Sequence, residues 1–194
     1  LSVNQNMTSK ISRIKIQFGL VHDCIRACVY SNYIARKKST KVAWLSLMDT
    51  CYADAVITWN QLFGTNSQQA HWKAFTHSVA LPTGTKLKPF GKNIICDYLK
   101  ITEDQWASYH ATMIQTRNCY LAHFDHQLAH FDHQTDHTEL PGLTWALHSA
   151  FLYRAWLLEL LKEYQSQGQD ILIDETSGDQ LLKRLEQQIS EVCT

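Results

Sequence analysis

Apolar residues that return every three or four positions over several turns leave a chain little choice but an amphipathic helix. Ile11, Ile14, Phe18, Val21, Ile25 and Cys28 do so without a miss, which predicts a first helix running to about Arg36. Leu45, Met48, Tyr52, Ala55, Trp59 and Leu62 form the stripe of a second, with Gly64 as its natural stop and the basic stretch Arg36 to Lys41 as the turn between them. Only 7 Gly and 3 Pro interrupt the 194 residues, and two of the Pro and two of the Gly fall within 82–92, the clearest internal loop. Before that loop, 67–79 reads as a shorter helix carrying Trp72 and Phe75. Thr102-Glu103-Asp104-Gln105 has the form of a capping box and opens a helix expected to reach the Leu121–Asp125 region. Leu143 to Gln167 is the most apolar helix, and 179–193 reads as an amphipathic closing helix through Leu182, Leu185, Ile189 and Val192. Ile171-Leu172-Ile173 is open between a short strand and an extended tie. The expected fold is therefore all-α, a bundle of long antiparallel helices with additional short ones, in one domain over 1–194.

Composition narrows the class further. An apolar fraction of 45%, with 6 Trp, 7 Phe and 8 Tyr, excludes a wholly disordered chain. The longest apolar run, Ala155 to Leu158, is bounded by Arg154 and Glu159 and falls well short of the ~20 residues that span a bilayer, so no membrane partner is expected. Leu1 to Asn6 shows no charged lead before an apolar stretch, and Cys24, Cys28, Cys51, Cys96, Cys119 and Cys193 make no Cys-x-x-Cys pair, so the expected setting is cytoplasmic. The formal net charge is zero, yet residues 1–100 carry 13 Lys/Arg against 4 Asp/Glu and residues 101–194 carry 5 against 14. This asymmetry suits an anionic partner, self-association of opposite surfaces, or simply two well-solvated faces.

Chemistry concentrates on the capped helix. On a wheel of about 100° per residue, Arg117 falls on the stripe of Trp106, Met113, Tyr120, Leu121 and Phe124. A guanidinium among apolar neighbours keeps its proton, so something anionic is expected to compensate it. Two readings stand: a structural arginine paired with a carboxylate such as Asp54 or Asp125, or a residue that meets an anionic ligand.

The string Arg117-Asn118-Cys119-Tyr120-Leu121-Ala122-His123-Phe124-Asp125, with its R-N-x-x-x-A-H pattern, resembles the signature of the HEPN family (higher eukaryotes and prokaryotes nucleotide-binding domains). The trailing Phe-Asp, and Trp59, Phe63 and Gly64 on the second helix, resemble the branch that includes the abortive-infection U-type proteins of bacterial phage defence. The resemblance covers 117–125 as a motif and about 10–165 as architecture. It implies an endoribonuclease with no metal or other cofactor, often a toxin held by an antitoxin protein, whose composite site forms where two protomers of a homodimer meet. Arg117, Asn118 and His123 are then the catalytic residues. Imidazole and guanidinium suit that chemistry: one moves the 2′-hydroxyl proton near neutral pH, the other stabilises charge gathering on phosphorus. On a straight helix Arg117 and His123 lie about 9 Å apart along the axis and ~120° apart around it, so a helix break or a second subunit is needed.

His123 also lies in a segment crowded with His126, His130, His133 and His137 and with Asp125, Asp132 and Asp136, for which a zinc or manganese site and a solvated polar turn are the rival readings. Among these, His126, His130 and His133 are the candidate ligands. Part of this crowding comes from duplication, since Leu121-Ala122-His123-Phe124-Asp125-His126-Gln127 repeats at 128–134, and six residues before His130 stands Phe124, so only the first copy has its arginine. Some HEPN toxins carry a modifiable Tyr two residues after the motif His; here that position is Asp125. His22-Asp23 lacks the downstream ligands of a metal phosphohydrolase, and Cys119 has no activating partner. A catalytically silent helical binding or dimerisation module is the competing class.

Overall fold

The structure, a computed structural model, describes residues 2–38, 40–65, 69–79, 81–82, 84–118, 140–166 and 176–193. Among them are seven helices and no strand: α1 (Ser2–Lys37), α2 (Val42–Phe63), α3 (Trp72–Ser78), α4 (Lys92–Leu99), α5 (Glu103–Thr116), α6 (Thr144–Ser166) and α7 (Gly178–Val192). The fold is all-α, as the periodicity predicts. No helix of the described residues is long and apolar enough to cross a membrane.

The long helix α1 is the centre of the bundle and packs on α2, α6 and α7. Its stripe faces inward: Ile14, Val21, Ile25 and Cys28 are buried, and Ile11 and Phe18 pack beside them. Because α2 follows after a turn of a few residues, it runs back along α1. Its own stripe is buried from Ala55 onward, but Leu45 is 42% exposed, since the first turns of α2 extend past the packed part of the bundle. On α7 the buried row is Leu181, Leu185 and Ile189, whereas Val192 is 63% exposed. A capping box formed by Ser177 and Gln180 starts that helix. The short α4 goes beyond the sequence reading; it buries only Ile95 and Cys96, too little for a periodic signal.

Two aromatic clusters fill the bundle, the first fixing α5 to α2. Trp59 lies 5.5–5.9 Å, ring to ring, from Phe63, Trp106, Tyr109 and His110, and its indole N–H donates to Ser149 Oγ at 3.1 Å. Phe90, Tyr153 and Trp156 form the second cluster, where the Trp156 indole N–H holds the loop after α3 through Lys88 O at 2.8 Å. The Tyr109 hydroxyl donates to Gly142 O (3.0 Å) and accepts from the Ala146 N–H (3.2 Å), so it satisfies one of the orphan donors at the start of α6. Burial pushes the Tyr109 phenol well above its ordinary pKa, which keeps it a donor.

The buried Asn60 side-chain amide donates to Val56 O (2.8 Å) and Met113 O (3.0 Å), tying α2 to α5. One turn on, Gly64 ends α2 with its N–H on Asn60 O at 2.9 Å. A Cβ at Gly64 would lie 2.5 Å from Asn60 O and 2.8 Å from Asn60 Oδ1. The glycine is therefore demanded by space rather than by φ, which is −71°. Gly64→Ala is expected to cost about 1–3 kcal/mol through the forced shift of the α2 end, read as a lower urea midpoint.

Candidate functional site

The capping box that the sequence predicts starts α5: the Thr102 Oγ1 accepts from the Gln105 N–H at 3.1 Å and the Gln105 side chain accepts from the Thr102 N–H at 2.9 Å. From there the helix winds regularly to Thr116, with Trp106, Met113 and Thr116 buried. Arg117 and Asn118 are π-helical, a feature that recurs at functional sites. The motif arginine thus stands where the regular helix ends. His123, the repeat, and the candidate metal ligands His126, His130 and His133 lie outside the described residues, as do Cys119 and Asp125.

Arg117 is half-buried, and its Nε and Nη2 both donate to the Asn118 Oδ1, at 3.1 and 2.8 Å. Asn118 therefore orients the guanidinium, and being neutral it leaves the positive charge in place. No carboxylate among the described residues lies within ion-pair distance of Arg117; Asp54, a candidate partner, is exposed on α2 and makes no such pair. The arrangement can accept an oxyanion such as a phosphate, for which a guanidinium has the matching fork.

Two histidines that the motif reading passes over meet where α3 and α5 come to the end of α2. His110 stands seven residues before it, on the same face of α5, and its Nε2 meets Phe63 O (2.8 Å) and Gly64 O (3.1 Å). Both partners are carbonyls, so Nε2 carries the hydrogen and donates. His71, almost wholly buried, accepts the Lys73 N–H on Nδ1 at 3.1 Å and caps α3. Burial lowers the His71 pKa to about 4 against the opposing pull of the Phe63 and Gly64 carbonyls. The two imidazoles converge on the last carbonyls of α2, next to Phe63 and Gly64. The seven-residue spacing of His110 and Arg117 was the available signal in the sequence; nothing local marks His71.

Among the described residues no group of three or more His, Cys, Asp or Glu is placed to hold a metal ion. A separate cleft of about 610 Å³ lies between α4, α6 and the start of α7 and shares no lining residue with α5. It contains Arg154, which is 2% exposed and packs its guanidinium 5.1 Å from the Phe18 ring centre. Comparison with protein-family models, with curated proteins and with solved structures gives no match.

Proposed function

We propose that this chain is a metal-independent endoribonuclease of the HEPN type, acting in phage defence or as the toxin of a toxin–antitoxin pair. The observation that carries the reading is Arg117: a guanidinium at the end of α5, oriented by a neutral amide and paired with no carboxylate among the described residues. In the reaction, a 2′-hydroxyl loses its proton to a base and its oxygen attacks the adjacent phosphorus. The bond from phosphorus to the 5′-oxygen breaks, and that oxygen takes a proton as it leaves. His123 serves as base or acid, Arg117 holds the phosphate and its growing charge, and Asn118 positions Arg117. Purified protein is expected to cleave RNA in EDTA and to leave 2′,3′-cyclic phosphate and 5′-hydroxyl ends. Activity that appears only on adding a divalent metal would replace this reading with the histidine-rich metal site.

A two-fold homodimer with both copies of Arg117 and His123 near its axis belongs to the same proposal, because a symmetric interface doubles one short motif into a composite cleft. Sedimentation at micromolar concentration is expected to give a dimer, and full activity from a monomer would sink the composite site. The silent binding module draws on a different observation, the exposure of Val42 and Leu45 at the start of α2. It predicts partner binding without any cleavage.

A further inference from the structure

Between the end of α2, the start of α3, the first residue of α4 and the Arg117 face of α5 lies a cleft of about 400 Å³. Its walls are aromatic and apolar, with Phe63, Trp72, Trp106 and Ile114, and its rim carries the exposed Lys73 and Lys92. The Lys73 ammonium lies 5.4 Å from the Trp72 ring centre, over its face. Lys92 is paired with Glu103. His71 and His110 line the cleft with ring nitrogens engaged by backbone groups, which makes a fixed wall.

We propose that this cleft is a single-stranded RNA groove, in which a base stacks on Trp72 while Lys73 and Lys92 meet the phosphates, one segment of strand away from Arg117. The inference rests on the ribonuclease reading and adds a path for the substrate. A flat aromatic face beside exposed cations is the pairing that holds single strands without base readout, the face taking any base and the cations tracking the backbone, for which Lys92 exchanges its Glu103 partner. The Trp72 ring already stacks on His71, 5.6 Å between ring centres, so a base takes the place of the Lys73 ammonium over the indole, and the lysine side chain is long enough to swing from the ring to a phosphate. The groove also points the right way. Ile114 and His110 share a helix face with Arg117, and seven residues of α-helix span about 10.5 Å, so a polynucleotide can touch both places and a mononucleotide cannot.

The test uses the full chain with Arg117→Ala, which leaves RNA intact, and fluorescence anisotropy with labelled oligouridylate. Adding Lys73→Glu or Trp72→Ala is expected to raise Kd about tenfold, with Trp72→Phe between them and the parent because a smaller ring still stacks. With Arg117 in place, the same changes are expected to raise KM for RNA while kcat holds. Lys73 is exposed, so Lys73→Glu keeps the test decisive even where Trp72→Ala does not fold. RNA cleavage by the wild-type chain with an unchanged Kd in Lys73→Glu overturns the groove and leaves the ribonuclease. Lys73-dependent RNA binding without any cleavage supports the groove and sinks the ribonuclease. Binding of oligoglutamate in place of oligouridylate, with the same Lys73 dependence, overturns the groove in favour of an acidic peptide site.

Discussion

Arg117→Ala is expected to lower the rate of RNA cleavage by about a thousandfold and to leave the melting temperature where it was. The first half follows from the chemistry: a cation beside phosphorus acts on charge that exists only in the transition state, so its loss falls on kcat. The second half follows from the contacts. The Arg117 guanidinium is held by Asn118, its exposed neighbour in the chain, so among the described residues removing it breaks no side-chain hydrogen bond or ion pair between helices. Arg117→Lys keeps the charge without the fork and is expected to fall between the two. His123→Ala is expected to lose activity by about two to four orders of magnitude as proton transfer fails. A chain that unfolds on Arg117→Ala, with His123→Ala neutral, would instead mark Arg117 as a structural residue and return the protein to the silent binding module.

What the sequence made legible is what repeats or what is punctuated. The stripes of α1 and α2, the stop at Gly64 and the Thr102 capping box are local patterns, and local patterns survive folding because the helix itself selects them. The stripes overran at Leu45 and Val192 because periodicity records where an apolar face continues, not where its partner ends. Helix α4 left no trace, since eight residues give two turns and only two buried side chains. For the site, Arg117 and Asn118 were legible as neighbours in a motif, and the fold adds the contact between their side chains. His71 was not legible: it is 39 positions before His110 in the chain, and only the return of α3 to the end of α2 brings them to one pair of carbonyls. Such convergence is a product of tertiary packing, to which a single sequence holds no key.

The same convergence sets the protein's response to acid. In the unfolded chain His71 titrates near the ordinary 6.5, whereas burial in the folded state lowers its pKa to about 4. Between those values the unfolded state binds the proton and the folded state does not, so stability falls as the pH drops through this window. Above pH 6.5 both states are neutral and His71 adds no pH dependence; below pH 4 both are charged and the loss is complete, at about 3 kcal/mol. His22, whose pKa is lowered by burial and then by the Arg154 charge, acts in the same direction. His71→Asn separates the two, because asparagine can still accept the Lys73 N–H as the α3 N-cap and does not titrate. Urea unfolding at pH 7 and at pH 4 is expected to show wild type losing about 3 kcal/mol more than His71→Asn over that interval. Equal losses in the two proteins would mean that the wild-type imidazole is already hydrated when folded, and the wall of the cleft beside Trp72 would then be open rather than fixed.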